Sequence, residues 1–193
     1  MTAIAILLLA AGASARMQGR DKLMETVDGQ PLLSLMARRA ALTGLPVYVT
    51  LPGMTHPRAA AIGTSAPVAV ADAAEGMGAS IRRGVAALPE GCEGVMILPA
   101  DMPEVETRDM LHLAALFGGG SGPILRATGE DGTPGHPVLF PRRCFDALQA
   151  LSGDQGARSL LTRDNVLPVA LPGRRALTDL DTPEDWAAWR RRR

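Results

Sequence analysis

The fold of this chain is decided by residues 5–22, which read AILLLAAGASARMQGRDK. The run 5–9 is apolar without interruption, as expected of a strand buried on both faces of a parallel sheet. The residues that follow have small side chains or none, so a ligand can approach the backbone N–H groups, and successive N–H groups in a turn bind anions. Arg16 and Lys22 then add a forked and a compact cation, both suited to phosphate oxygens. The stretch therefore predicts a strand followed by a triphosphate-binding loop.

Two common nucleotide-binding motifs do not describe this loop. It contains neither the Gly-x-Gly-x-x-Gly of dinucleotide-binding folds nor the Gly-Lys-Ser/Thr of a P-loop. A purely structural turn between a strand and a helix would account for Gly12, but not for so many small residues followed by two cations. The phosphate-binding interpretation is therefore favoured over the structural one.

The composition is that of one globular domain, expected to span residues 1–193. Hydrophobic residues make up 47% of the 193 residues, which argues against disorder. Aromatic residues make up only 3% and the net charge is +0, so we expect no nucleic-acid partner. Cys92 and Cys144 are too few for a disulfide scaffold or a structural zinc site, and they favour reduced thiols in a cytoplasmic protein. The apolar run near the N-terminus is too short to span a membrane, so no membrane partner is expected.

Hydrophobic periodicity along the chain predicts strands that alternate with helices, which is typical of an α/β fold with a mostly parallel sheet. A short connection between two of the later strands, 123–128 and 134–140, predicts a small antiparallel element. Thr182 is expected to cap a terminal helix, and the arginines of residues 190–193 to form a solvated tail. The other predicted strands are 47–51, 68–70, 95–98 and 166–171. The other predicted helices run from about 32 to 43, from the stretch 72–80 to about 88, from 107 to 117, from 142 to 151 and from 153 to 161. In the helix 107–117, the residues at core spacing are Met110, Leu111, Leu113, Ala114 and Phe117.

Carboxylates follow some of these predicted strands and loops. Asp101 comes directly after strand 95–98, and ligands of open α/β sheets gather at the carboxyl ends of strands. A carboxylate there suits Mg²⁺, although Asp101 could also serve as a turn or capping residue before Pro103. Asp179 and Asp181 precede the terminal helix, and either could approach the metal or the phosphates.

Three further stretches have both a structural and a functional explanation. Residues 72–80 read DAAEGMGAS, which fits either a glycine-rich helix start or an anion site at free helix N–H groups. His136 stands between Gly and Pro, where a structural turn residue or a substrate contact are both expected. Asp154, in the stretch 153–158, could simply cap a helix after a break.

The motif Leu-Ala-Ala-Gly-x-Ser-x-Arg-Met at residues 9–17, followed by Asp-Lys-Leu at 21–23, resembles the signature of nucleotidyltransferases that act on molybdenum cofactor. Gln18 stands where that family usually has Gly. The stretches 76–84, 101–103, 135–138, 153–158 and 179–185 also match family elements, so the resemblance covers nearly the whole chain. It implies a three-layer α/β nucleotidyltransferase fold, with 1–103 mainly on the nucleotide and metal side and 104–193 mainly on the acceptor side.

The resemblance also implies roles for individual residues. Asp101 and Asp181 would hold Mg²⁺, Lys22 would stabilise charge at the α-phosphate, and Arg16 would hold the β- and γ-phosphates. The acceptor would contact Gly135, His136 and Pro137. The residues expected to bind the nucleotide are Leu9, Ala10, Ala11, Gly12, Ser14, Asp72, Gly76 and Ser80.

Within this family, Ala11 and the Gly-His-Pro-Val run at 135–138 favour transfer of cytidine from CTP to molybdopterin. A recipient molybdoenzyme would then be a further partner. The alternatives are a GTP-using guanylyltransferase and an enzyme that activates sugar or alcohol phosphates. A protein that binds the nucleotide or the cofactor without turnover would belong to a different class.

Overall fold

A computed structural model describes residues 3–153 and 156–193 of the chain. Its helices are α1 (Leu32–Ala41), α2 (Met77–Ala86), α3 (Thr107–Ala115), α4 (Phe145–Gln149), α5 (Arg158–Arg163) and α6 (Pro183–Arg191). Its strands are β1 (Ala3–Leu9), β2 (Thr26–Val27), β3 (Gln30–Pro31), β4 (Val47–Leu51), β5 (Ala66–Ala69), β6 (Cys92–Pro99), β7 (Ile124–Thr128), β8 (Pro134–Pro141) and β9 (Val166–Ala170).

Seven of these strands form one sheet in the order β5-β4-β1-β6-β8-β7-β9. Strands β5, β4, β1 and β6 are parallel to one another, β8 is antiparallel to both β6 and β7, and β9 is parallel to β7. Strands β2 and β3 form a separate two-stranded ribbon, whose turn places Asp28 and Gly29 at positive φ. The mostly parallel α/β fold with a small antiparallel element is thus confirmed.

Helices cover both faces of the large sheet, because alternate side chains of β1 point to opposite sides. Ile6 and Leu8 belong to a cluster that also contains residues of α1, α3 and α6. Leu7 belongs to a second cluster, with Ile81 and other residues of α2 and α4. Every residue of β1 from Ile4 to Leu8 is buried, as an apolar run between two helical layers requires.

Two predicted elements differ from those observed. The third parallel strand occupies residues 66–69 rather than 68–70, because its register with β4 begins at Ala66. The predicted helix 142–151 is a single 3₁₀ turn at 142–144 followed by α4, and α5 does not begin until Arg158. Asp154, proposed as a cap, lies outside the described residues.

One prediction about a side chain was wrong. Leu111 is 43% exposed rather than part of the core, since the buried face of α3 is formed by Asp109, Met110 and Leu113. The arginines of residues 190–193 are exposed, as expected of a solvated tail, and two of them also contact aromatic rings. Arg190 lies 4.9 Å from the centre of the Trp186 ring and Arg193 lies 4.7 Å from that of Trp189, so cations stack on the two aromatic rings of α6.

Neither cysteine is in a disulfide, and both are buried. Within residues 3–153 and 156–193, no helix is long and apolar enough to cross a bilayer.

Candidate active site

The ends of β1 and β6 bring two loops to the same edge of the sheet. Leu9 pairs with Pro99 in the parallel ladder, and the N–H of Ala100 donates to the carbonyl of Leu9. The loop after β1 and Asp101 after β6 therefore open into one cavity of about 400 Å³. Of the residues predicted to form the site, those that line this cavity are Leu9, Ala11, Gly12, Ser14, Arg16, Lys22, Gly76, Ser80, Asp101 and Asp181.

The loop itself has an unusual backbone path. Ser14 and Gln18 both adopt φ of 53°, and Gly19 follows at φ of 85°. A short 3₁₀ turn at 15–17 lies between the two left-handed residues. Gln18 thus takes a left-handed conformation at the position where the family usually has Gly, and a non-Gly residue in this conformation costs about 1–2 kcal/mol.

A buried arginine that sequence reasoning missed holds this loop in place. The side chain of Arg58 is 2% exposed, and its Nη1 donates to the carbonyls of Ala10 at 2.6 Å and Gly12 at 2.8 Å. Its Nη2 donates to Ser14 Oγ at 3.0 Å, and its Nε and Nη2 donate to the two oxygens of Asp21 at 2.7 and 2.6 Å. No local sequence pattern identifies Arg58, which follows His56 and Pro57. Its partner Asp21 stands next to Lys22 in the sequence, but this position alone does not predict the ion pair.

Lys22, the only lysine in the chain, lies between two carboxylates. Its Nζ donates to Asp101 Oδ2 at 2.5 Å and to Asp181 Oδ1 at 2.6 Å. Arg16 binds the other oxygen of Asp181 at 2.6 Å. Burial lowers the pKa of Lys22, but the charges and hydrogen bonds of Asp101 and Asp181 outweigh it and raise that pKa above its ordinary value.

The same cluster has features that suit a divalent cation. Asp101 Oδ1 is buried and has no hydrogen-bond partner among the described residues. Asp179, the other candidate carboxylate, is exposed and does not line the cavity, although partial desolvation, and then the negative charges of Asp181 and Asp101, raise its pKa. Within the described chain, no group of three or more His, Cys, Asp or Glu side chains could hold a metal ion by itself. The donor set therefore fits an ion such as Mg²⁺ that takes one or two carboxylates and completes its shell with phosphate oxygens and water.

Two residues predicted to bind the nucleotide do not line the cavity. The Ala10 N–H donates to Thr50 Oγ1, so it is used within the sheet. The Asp72 carboxylate binds Arg82 at 2.5 Å and Arg83 at 3.2 Å, and these two arginines lower its pKa to about 2. Arg82 and Arg83 thus hold the segment before α2.

A second cavity of about 560 Å³ adjoins the first, and Met77 lines both. Of the predicted acceptor residues, His136 lines it, while Gly135 and Pro137 are buried beside it. A Cβ on Gly135 would lie 1.9 Å from the carbonyl oxygen of Ala176, so only glycine fits there. The His136–Pro137 peptide bond is cis.

His136 is neutral at physiological pH. Burial, followed by the positive charge of Arg126, lowers its pKa to about 4, although Asp101 acts in the opposite direction. Its Nδ1 is buried without a hydrogen-bond partner in the described part of the chain. His136 thus lies within electrostatic range of both the carboxylate cluster and Arg126.

The chain is similar in sequence to several known proteins. The sequence model of the MobA-like NTP transferase domain matches residues 6–168. The purine catabolism protein PucB of Bacillus subtilis is 31% identical in an alignment of 199 positions, which covers 95% of this chain and 94% of the relative. A probable molybdenum cofactor guanylyltransferase of Trichormus variabilis is 28% identical and covers 97% of this chain and 90% of its own.

A similar fold is found in the crystal structure of Rv0371c from Mycobacterium tuberculosis. It superposes with a TM-score of 0.84 at 26% identity, covering 97% of each chain. A crystal structure of Rv0371c in complex with manganese gives a TM-score of 0.81 at 25% identity, again over 97% of each chain.

Proposed function

The chain belongs to the MobA-like NTP transferase domain family, and from this we propose that it transfers CMP from CTP to the phosphate of molybdopterin or molybdenum cofactor, with release of pyrophosphate. One observation carries the proposal. At the end of a small-residue loop, Arg16 and Lys22 meet Asp101 and Asp181 in a single cavity large enough for a nucleotide. Cations and a carboxylate placed together in this way favour transfer at phosphorus, where positioning and charge stabilisation dominate.

In the proposed reaction, a phosphate oxygen of the acceptor attacks the α-phosphorus of the nucleotide in line. The bond from the α-phosphorus to the α–β bridging oxygen breaks, and its electron pair leaves with pyrophosphate. The acceptor phosphate is already ionised, so no strong protein base is needed. Lys22 exchanges its carboxylate partners for oxygens of the α-phosphate, and Arg16 binds the β- and γ-phosphates.

Asp101, with Asp181 as a second ligand, would hold Mg²⁺. When bound, the ion neutralises phosphate charge and orients the triphosphate. The buried, unpartnered Oδ1 of Asp101 supports this assignment. The manganese complex of Rv0371c is consistent with a divalent cation in a protein of similar fold.

We further propose that residues 1–103 mainly serve the nucleotide and metal, and residues 104–193 mainly the acceptor. The backbone of Leu9, Ala11 and Gly12, together with Ser14, Gly76 and Ser80, would bind the nucleotide, while Ala10 would support the loop from within the sheet. Asp72 would act through the segment it fixes rather than by direct contact. Gly135, His136 and Pro137 would form the acceptor side.

The choice between CTP and GTP rests on few contacts. Ala11 favours CTP, whereas the relative named as a probable molybdenum cofactor guanylyltransferase supports GTP as the second candidate. The test incubates the protein with molybdopterin, Mg²⁺ and labelled CTP or GTP, and follows pyrophosphate and the labelled product. We expect CTP to be used and Lys22→Ala to abolish turnover, while Arg38→Ala, which removes an exposed cation from α1, leaves it unchanged.

Each other outcome has a definite meaning. Preference for GTP would keep the chemistry and overturn the interpretation of Ala11. Binding of nucleotide without pyrophosphate release, in a folded protein, would favour a non-catalytic binding protein. Turnover that persists in Lys22→Ala would contradict the role given to Lys22.

A further inference from the structure

The second cavity has one apolar wall and one cationic end. Its apolar wall is formed by Ile81, Ile97, Val138 and Phe140, which are all buried. Its polar side chains include Arg126, His136 and Arg158. A cavity of this kind suits a ligand with a flat or apolar body and a negatively charged group.

The arginines at the cationic end of this cavity lack carboxylate partners among the described residues. Other arginines with largely buried side chains bind a carboxylate, as Arg58 and Arg175 do. Among the described residues, neither Arg126 nor Arg158 forms an ion pair. The side chain of Arg126 makes one hydrogen bond, from Nε to the Gly135 carbonyl at 3.3 Å, which leaves its terminal nitrogens available.

The two guanidinium groups also lie close enough to repel one another. Partial burial, and then the positive charge of Arg158, lower the pKa of Arg126 below its ordinary value. Both groups remain charged, since an arginine in a protein is not deprotonated near neutral pH. An oxyanion between them would remove the repulsion and satisfy the free N–H groups, and a guanidinium fork matches phosphate geometry.

The neighbouring histidine fits the same ligand. A neutral imidazole can donate from one nitrogen and accept at the other, so His136 can hydrogen-bond a polar ligand group without adding charge. The two cavities share Met77, so a ligand in the second cavity lies next to the nucleotide in the first.

Building on the proposed function, we propose that Arg126 and Arg158 select the acceptor by binding an oxyanion of a phosphomonoester. The flat or apolar body of this acceptor packs on the apolar wall of the second cavity. Arg126 is the principal determinant, because it is half-buried and anchored to Gly135, whereas Arg158 is exposed on the first turn of α5.

Measurements of equilibrium binding test recognition of the acceptor separately from catalysis of the nucleotidyl transfer. The probes are a pterin that carries an alkyl phosphate and the corresponding pterin alcohol, titrated by fluorescence in the presence of saturating CTP and without turnover. We expect the wild-type protein to prefer the phosphate by about tenfold or more, as a charge-assisted bidentate contact implies. Arg126→Gln should lose most of this preference, while its affinity for CTP stays within about twofold.

Two matched variants keep the result interpretable. Arg126→Lys retains the charge without the fork and should keep part of the preference, which a merely structural role would not predict. Arg38→Gln removes one positive charge from a helix on the opposite face of the sheet, and it should leave both the preference for the phosphate and the affinity for CTP unchanged. Circular dichroism and thermal melts check that each variant is folded.

The proposal is overturned if folded Arg126→Gln and wild-type protein show the same preference for the phosphate, or if the wild-type protein shows none. A phosphate preference that depends on Arg126, without pyrophosphate release from any nucleotide, would contradict the proposed function and leave this inference standing. Turnover in which Arg126→Gln leaves the acceptor KM unchanged would support the proposed function and contradict this inference.

Discussion

Arg58 is the residue on which the geometry of the phosphate loop depends most. Its side chain is almost entirely buried, and it binds two loop carbonyls, one hydroxyl and one carboxylate at once. Because a trans peptide places its C=O and N–H on opposite sides, holding the carbonyls of Ala10 and Gly12 turns the N–H groups of Ala11 and Ala13 away from Arg58. Those two residues line the nucleotide cavity, so a guanidinium behind the loop orients donors in front of it.

Replacement of Arg58 should therefore weaken nucleotide binding although Arg58 is not assigned a contact with the nucleotide. Arg58→Lys keeps the charge but cannot bind two carbonyls and Asp21 together, and we expect affinity for CTP to fall by about tenfold. Arg58→Ala also leaves Asp21 unpaired and should lower the free energy of unfolding by about 2 kcal/mol, discounted because Asp21 is partly exposed. Calorimetric titration and urea unfolding measure the two effects. Arg38→Lys is the control, and unchanged affinity in folded Arg58→Lys would rule out the positioning role.

Lys22 offers a second prediction, because it is the only lysine. The carboxylates on either side raise its pKa, so little of the reactive free amine is present near pH 8. We expect an acylating reagent to modify Lys22 much more slowly than the N-terminal amine, and Asp101→Asn to speed modification at Lys22 by removing one of the stabilising charges. Mass spectrometry of the peptide that contains Lys22 gives both rates. Equal rates in the wild-type protein and Asp101→Asn would mean that Asp101 does not control this amine.

Individual site residues differ in how far the sequence could predict them. The meeting of Lys22 with Asp101 follows from two apolar strands whose carboxyl ends must share one edge of a parallel sheet. Arg58 could not be found in this way, since a buried charge leaves no periodic trace and its partners lie 37 to 48 positions away. Asp72 was placed in the right region, but its neutralisation by Arg82 and Arg83 depends on the rotation of α2.

At the scale of elements, the start of α6 fixes the segment that carries Asp181. Thr182 Oγ1 accepts from the N–H of Asp185, whose carboxylate in turn accepts from the N–H groups of Thr182 and Asp181. This reciprocal pair is a capping box, and Pro183 pre-sets the first helical residue. The cap thus stabilises the helix and holds the Asp181 backbone beside Lys22.

Thr182→Ala should lower the free energy of unfolding by about 1 kcal/mol, because it removes the acceptor for the Asp185 N–H. Urea unfolding followed by circular dichroism measures the change in midpoint. Thr162→Ala is a suitable control, since that exposed hydroxyl only donates to the Ser159 carbonyl within α5. A midpoint in Thr182→Ala equal to that of the wild-type protein would show that the cap does not stabilise this helix.

Gly84 determines how closely α2 approaches the sheet. A Cβ at this position would lie 2.4 Å from Leu7 Cδ2, and the Leu7 side chain is fully buried, so it could move aside only by displacing its neighbours in the core. Alanine is the better helix former by about 1 kcal/mol, yet overpacking costs about 1–3 kcal/mol, so we expect Gly84→Ala to destabilise the protein. Gly91→Ala, where a Cβ would meet nothing within 4 Å, should be near neutral in the same thermal melts. Stabilisation by Gly84→Ala would show that α2 can shift without cost.

Elements were predictable where a single pattern governed them. Strands β1, β4 and β6 are buried on both faces, so an apolar run was sufficient to find them. The region from 142 to 163 was harder, because α4 and α5 are short and packing against the sheet, rather than periodicity, decides where each begins. Leu111 shows the same limit, since helical spacing alone cannot tell which of two adjacent stripes faces the core.

For the whole molecule, the sheet edge carries two cavities of opposite character. The first contains the carboxylates of Asp101 and Asp181 with their cations, and the second contains Arg126 and Arg158 with no carboxylate partner among the described residues. His136 is partly buried at the second cavity, and the charges of Arg126 and Asp101 act on its pKa in opposite directions. The fold therefore holds a neutral histidine in a place where protonation would add a third positive charge.

This arrangement predicts how stability depends on pH. The pKa of His136 is lowered to about 4 in the folded protein, against about 6.5 when unfolded. Between these values the unfolded chain binds a proton that the folded chain does not, so the free energy of unfolding falls as the pH drops from about 6.5 to about 4, by up to about 3 kcal/mol. Asp21 and Asp164 have lowered pKa values and lose their contribution below about pH 4, outside this window.

The contribution of His136 can be isolated by difference. Urea unfolding of the wild-type protein and His136→Gln is compared at several values between pH 4 and pH 7, because Asp179 and the other carboxylates contribute equally to both. We expect the wild-type curve to fall more steeply than that of His136→Gln, while His112→Gln, which alters an exposed histidine of α3, keeps the wild-type slope. Parallel curves for the wild-type protein and His136→Gln would mean that the imidazole accepts its proton in the folded state as easily as in water. The second cavity would then tolerate an added positive charge beside Arg126, and the electrostatic case for an anionic ligand there would weaken with it.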